Sequence, residues 1–285
     1  MRSSSFAMSG AVGVLMTVAG CRLEAHSQTV FEDKTQPAKT SVSEWAGQPI
    51  KIENGGINPL TGTGGIEVKI DPAATKITTE ATFSATADDD KRTDADASIR
   101  DALATWVIEE SPNQITIRCG HGSSHGTSPQ AASGCKILRV TIPPGTALKP
   151  HDLQVGGGNG DIRVGLAESG SPSGLAYVKN LLVKNNGIGD VRVRATPVKE
   201  ATITITGEDA VEVALPSTFS AAKVTFAVDE TDAAKIAARI NTSGFSGMAS
   251  GLPYPTAGAT ADAAASLNVT STGPFSSDTI TVSSF

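Results

Sequence analysis

Two stretches of the chain share one pattern. Gly158-Asn159-Gly160-Asp161-Ile162-Arg163-Val164 and Gly187-Ile188-Gly189-Asp190-Val191-Arg192-Val193 each set Gly-Asp directly before an alternation of apolar and basic residues. Gly207-Glu208-Asp209-Ala210-Val211-Glu212-Val213 is a looser third copy. Alternation of period two is the signature of a half-buried strand. Gly-Asp before it is a corner, because Gly supplies φ > 0 and Asp can bond a nearby backbone N–H. Leu138/Val140/Ile142, Ile203/Ile205 and Val224/Phe226/Val228 alternate in the same way, and strands stop at Pro143 and Pro216. Similar rungs repeated over 137–228 predict a mainly β chain wound as a single-stranded β-helix or solenoid. Aromatics make up only 4% of the 285 residues. That suits a thin interior filled by Val, Ile, Leu and Ala, with Gly at the corners.

The N-terminal part of the domain, 49–136, carries strands at Ile50/Ile52, Ile66/Val68/Ile70 and Ile77/Ala81/Phe83/Ala85. Ile99, Ala102, Leu103 and Trp106 fall on one helical face, which predicts a single short helix over about Asp94–Ala104. Trp106–Glu110 and Ile115–Cys119 flank Ser111-Pro112-Asn113-Gln114, a turn sequence, and so predict a hairpin. Asp88–Arg92 is a charge run that reads as a solvated loop, lacking the fixed spacing and turn Gly of a calcium loop. Glu168–Gly174 reads as a loop inserted in one rung, and Asp229–Asn241 suits either a helix face or a further rung. In the C-terminal part, 229–285, the strands Ala265/Leu267/Val269 and Ile280/Val282 are the expected cap over the open end, where unpaired edges would invite aggregation. Tyr254 and Phe245 lie in a Gly-rich stretch, where packing onto the last rung is the simpler role and sugar contact the alternative.

The first twenty residues form a secretory signal: Arg2, an apolar run too short to span a bilayer, then small residues. Val18-Ala19-Gly20-Cys21 resembles the lipobox of bacterial lipoproteins. The resemblance implies cleavage before Cys21 and acyl chains, including palmitate, on that residue, several chains holding a domain where one would not. Arg22 rather than Asp after the Cys favours the outer membrane over the inner. Residues 21–48 are polar and read as a flexible tether, leaving 49–285 as the domain. The net charge of −6 becomes −7 once Arg2 leaves with the signal. With no basic run either, the sequence opposes nucleic acid as a partner.

Cys119-Gly120-His121-Gly122-Ser123-Ser124-His125 runs on to Cys135. Two Cys and two His could hold zinc. In an exported chain whose first Cys is lipidated, the remaining pair, Cys119 and Cys135, is expected to form a disulfide, with metal binding and free thiols as alternatives. No acid in the loop orients a histidine as a base. Gly157–Asp161 lacks the nine-residue recurrence of a calcium-binding β-roll.

Leu138-Arg139-Val140-Thr141-Ile142-Pro143-Pro144-Gly145-Thr146, followed by the two Gly-Asp corners, resembles the bacterial "putative adhesin" family of β-solenoid domains. The resemblance covers about Ile50–Val228 and implies an envelope protein with no catalytic residues and no cofactor to carry over. The expected function is therefore a non-catalytic, lipid-anchored binding or structural module, periplasmic or surface-facing, that engages a glycan or a protein. Arg163, Arg192 and Arg194 would form a polar ladder if they share a face, and solvated strand side chains if they do nothing more. A polysaccharide-acting lyase is the alternative, resting on Asp161 and Asp190 stacked on one edge. An envelope signalling scaffold is the other.

Overall fold

The computed structural model describes residues 28–32, 36–56, 64–88, 92–122, 132–165, 177–254, 265–275 and 277–285. Its elements run β1 (Gln28–Glu32), β2 (Lys39–Thr40), β3 (Ile50–Asn54), β4 (Gly65–Ile70), β5 (Thr78–Asp88) and helix α1 (Arg92–Ala104). Then come β6 (Val107–Glu110), β7 (Ile115–Cys119), β8 (Ala132–Ile142), β9 (His151–Gly157), β10 (Ile162–Val164), β11 (Tyr177–Asn185) and β12 (Val191–Arg194). β13 (Thr196–Gly207), β14 (Val211–Leu215), β15 (Lys223–Val228), α2 (Ala233–Arg239), β16 (Ile240–Asn241), β17 (Ser266–Ser271) and β18 (Ile280–Ser284) complete the order.

The protein is mainly β, built from two mixed, open sheets. The larger runs β1-β5-β8-β4-β10-β12-β14-β18-β16, with β2 on β5; the smaller runs β15-β17-β13-β11-β9-β3-β7-β6. From β7 onward the chain alternates between them, so each pair of consecutive strands makes one layer across both sheets. Neighbouring layers pair in parallel, which puts like residues on like. In the larger sheet Leu138, Ile66, Ile162, Val191, Val211 and Ile280 form one inward row. In the smaller, Ile117, Ile52, Val155, Val183, Ile205 and Val269 form another. All twelve are buried. Each in-register aliphatic pair keeps water from both partners, and a fully buried Val, Ile or Leu contributes roughly 1.5–3 kcal/mol.

The layers do not follow chain order. The β3/β4 layer lies between β7/β8 and β9/β10, and β17/β18 lies between β13/β14 and β15/β16. The last strands are therefore interior, not the cap expected of them. The C-terminal end is closed instead by the segment before them. Ala221 and Tyr254 exchange backbone hydrogen bonds along the β15 edge, and Val224 N–H donates to Leu252 O at 3.0 Å. Phe245, buried, meets Phe219 and Tyr254 edge-on at 6.2 and 5.5 Å, so the two aromatics weighed for sugar contact pack onto the core. A second helix, α2, occupies the stretch that suited helix or rung. Asp232 caps it, accepting from the N–H groups of Ala234 and Lys235. Arg239 at its end is buried and donates to the carbonyls of Asp278, Gly273 and Asp229.

At the other end α1 covers β5 and β8, with Ala95, Ile99 and Ala102 inward. Trp106 lies beneath it, 6.3 Å from Phe83, its ring N–H donating to Thr79. Part of the expected tether is docked: β1 pairs with β5, Ser41 N–H donates to Ile77 O, and Trp45 is buried. The apolar residues Phe31 and Trp45, sparse among polar neighbours, made the segment look uniformly solvated. Cys21, the signal, the Asp89–Lys91 part of the charge run, His125 and the Glu168–Gly174 insertion lie outside the described residues.

The corners explain the Gly-Asp repeat. Gly160 and Gly189 have φ of 128° and 134°, and a Cβ on Gly160 would sit 2.8 Å from Gly65 N. Two of the three corner Asp side chains reach the neighbouring layer. Asp161 accepts from Asp190 N–H at 3.2 Å, and Asp209 accepts from Gly189 N–H at 2.8 Å. Inside the corners Asn54 and Asn185, both buried, donate to the corner carbonyls of Gly65, Gly160 and Gly189. That satisfies backbone groups which turning inward would otherwise strand.

Cys119 and Cys135 form a disulfide, Cα–Cα 5.8 Å, joining β7 of the smaller sheet to β8 of the larger. Both sulfurs are thereby removed from metal ligation. Closing a loop of this length constrains the unfolded chain by about 3 kcal/mol. Reduction, or Cys119→Ala with Cys135→Ala, is expected to lower unfolding free energy by about that amount. Denaturant titration with and without dithiothreitol measures it; an unchanged midpoint would show that the bridge does not stabilise the fold.

Candidate binding groove

The outward face of the smaller sheet has a gap in its side chains. Along one row the register places Arg118, Glu53, Gly156, Lys184 and Thr206 side by side. A Cβ on Gly156 would meet nothing within 4 Å. The missing side chain opens a groove along β9, with β3 as one wall and β11 as the other. One cavity of about 590 Å³ is lined by Glu53, Thr105, Arg118, His121, Gly156 and Asn186. A second, of about 190 Å³, shares Glu53, Gly156 and Asn186 and adds Lys51, Gln154, Leu182 and Lys184. Walls two strands apart stand about 10 Å from each other, and Gln154 to Gly158 spans about 13 Å.

Local structure holds each wall. Gly55 N–H donates to Cys119 O at 2.8 Å, joining β3 to β7 at the corner. Gly120 N–H donates to Thr105 Oγ1, and Gly120 O accepts from Cys135 N–H. The disulfide and the end of α1 thus pin the segment that carries His121, which is exposed at the end of the groove. Asn186 donates from both backbone and side chain to Gly157 O, each at 3.2 Å. Lys51 faces Glu53 at 2.8 Å, and Arg118 pairs with Glu109. Lys184 is exposed and makes no ion pair among the described residues. Leu182 adds an apolar patch, 42% exposed.

Arg163, Arg192 and Arg194 do share the outer face of the larger sheet. Arg163 and Arg192 are direct register partners, and Arg194 lies two residues on. They are engaged: Arg163 with Asp161 at 3.0 Å and Glu67 at 3.7 Å, Arg192 with Asp190 at 3.0 Å and Glu212 at 3.3 Å. Arg194 stacks over the Phe285 ring at 4.0 Å. Asp161 and Asp190 are stacked on one edge, but each is held by an arginine, and Asp161 also by a backbone N–H. Among the described residues no three His, Cys, Asp or Glu side chains converge as a metal site.

Sequence reasoning passed over Gly156, whose significance lies in its neighbours on β3 and β11, and His151, the first residue of β9. His151 is fully buried; its Nε2 donates to Pro143 O at 3.0 Å, and its ring lies on Trp45, centroids 4.4 Å apart. Its Nδ1 has no hydrogen-bond partner among the described residues. Burial pushes its pKa down from 6.5 to about 4, against the raising effect of the Pro143 bond.

No protein-family model matches the chain, and no curated protein matches it in sequence. Among solved structures it is similar to a "putative cell adhesion protein" from Clostridium sporogenes ATCC 15579, at 12% identity and a TM-score of 0.45 over 88% of this chain and 100% of that one. A likeness that distant brings neither a site nor an activity with it.

Two outcomes test this geometry. Gly156→Val is expected to fold with unchanged or slightly higher stability, within about 1 kcal/mol, because the Cβ points into open space and Val suits a strand. A thermal midpoint lowered by many degrees would show that the groove floor is not open. For His151, the unfolded chain takes up a proton below pH 6.5 while the folded chain resists until about 4. Stability is therefore complete above pH 6.5 and falls by about 3 kcal/mol as pH drops to 4. Denaturant titrations across that window should show His151→Gln with a shallower fall than the wild type; equal slopes would assign the acid sensitivity elsewhere.

Proposed function

We propose that this chain is an envelope-anchored, non-catalytic lipoprotein whose domain is a coil of adhesin-like layers that binds an envelope or surface glycan or protein. The carrying observation is the groove over Gly156, a channel whose walls carry Glu53, Arg118, Lys184 and Asn186 above a glycine floor. The non-catalytic reading is supported by the engagement of both acids, Asp161 by Arg163 and the Asp190 N–H and Asp190 by Arg192. The coil reading is supported by the layer-by-layer alternation of the chain between two parallel-paired sheets. The sequential winding expected of a simple solenoid is replaced by two intercalated layers.

Anchoring rests on Val18-Ala19-Gly20-Cys21, with outer-membrane delivery favoured by Arg22. Gln28, where β1 starts, is seven positions on from Cys21, a reach of at most about 25 Å. A docked β1 would therefore hold the domain close to the bilayer rather than on a long leash.

In cells, labelled palmitate is expected on the wild type and not on Cys21→Ser, which should move from the membrane to the soluble fraction. A wild type without label in the soluble fraction would overturn the anchoring. Protease treatment of intact cells then decides the side: loss of the domain places it outside, and survival until the outer membrane is breached places it in the periplasm.

A further inference from the structure

We infer that the groove over Gly156 is a site for an acidic oligosaccharide, a chain of two or three sugars bearing a carboxylate. This rests on the binding reading of the groove and names its ligand class. The floor offers no free strand edge, since β3, β9 and β11 are each hydrogen-bonded on both sides, so an extended peptide cannot add to the sheet here. A peptide helix, about 10 Å across with its side chains, would seek a continuous apolar stripe, whereas the apolar side chains here are divided, Leu182 lining one cavity and Ala104 and Val107 the other. What the walls do present suits hydroxyl groups. The Gln154 and Asn186 amides and the Glu53 carboxylate face the channel, and the glycine floor lets a flat ring lie against the sheet. A length of about 13 Å admits two to three sugar rings.

The charge balance selects the acid. Glu53 is answered by Lys51 and Arg118 by Glu109, which leaves the ammonium of Lys184 as the wall charge without a counterpart among the described residues. It stands beside Gly156 in the register, so a carboxylate on a ring seated over Gly156 lies within its reach. His121 closes the channel with a second nitrogen-bearing side chain. Specificity would come from the amides and Glu53, and the preference for acidic over neutral sugars from Lys184.

The test uses the mature chain from residue 21 with Cys21→Ser, titrated by calorimetry with trigalacturonate, trimannuronate, sialyllactose and, as the neutral comparison, cellotriose. At least one acidic sugar is expected to bind, more weakly as salt rises. Gly156→Val should abolish binding, and Lys184→Gln should weaken it by about tenfold or more, the worth of one charge-assisted contact. Lys223→Gln, an exposed cation on the β15 edge of the same sheet, should leave it unchanged and so exclude general charge attraction. Cellotriose binding as tightly as the acidic sugars, with loss in Gly156→Val, would overturn the acidic class and keep the groove as the binding site. Acidic sugars binding equally to wild type and Gly156→Val would overturn the groove itself. No binding by any of the four would overturn the saccharide proposal.

Discussion

Each inward side chain rests on its counterpart in the layers on either side, and the rest of the structure follows from keeping that contact in register. A slip of one residue would turn a whole row of Val, Ile and Leu outward, so every layer must turn its corner at the same height. The corners achieve this by direct contact. Gly160 and Gly189 let successive turns touch, and Asp161 and Asp209 each take a backbone N–H from the adjoining layer. Asn54 and Asn185 fill the inside of the bend, where an apolar residue would leave carbonyls without donors.

A stack held this way has two open ends and four sheet edges, and each described one is treated differently. Helix α1 with Trp106 and Phe83 covers the first end, and the Phe219, Phe245 and Tyr254 cluster covers the second. Beside β6, Glu110 accepts the N–H groups of Val42 and Ser43 at 2.6 and 3.0 Å, laying the segment before β3 along that edge. β16, only two residues long, leaves little edge to pair with. Phe83 and Trp106 at one end and Phe219, Phe245 and Tyr254 at the other thus sit where the aliphatic stack stops.

The same regularity makes the groove conspicuous. Where every layer contributes an outward side chain, one missing side chain becomes a channel, and its depth is set by neighbours that belong to other parts of the chain. The disulfide has a part in this beyond stability: by fixing Gly120 and its neighbours it positions the wall at the His121 end. The arginine rows on the larger sheet behave otherwise. Glu67 lies between Arg139 and Arg163, and Glu212 beside Arg192, so that face is a charge lattice closed on itself.

Much of the local structure was legible in the sequence. Period-two alternation marked the strands, the Gly-Asp corners marked the turns, and the Ser111–Gln114 hairpin and α1 followed from short-range signals. These depend on contacts between residues near in the chain. The order of layers does not, because one alternating strand fits between two others as well as the next. That β17/β18 enters ahead of β15/β16, and β3/β4 after β7/β8, is decided by which corners and ends close best. The groove was hidden for the same reason. Gly156 reads as one glycine among several until β3 and β11, about a hundred and thirty residues apart in sequence, are brought to either side of it. The sequence by itself determined the unit that is stacked; the tertiary structure decided the stacking order and therefore the site, since a parallel sheet places distant segments side by side and leaves no trace of that neighbourhood within either one.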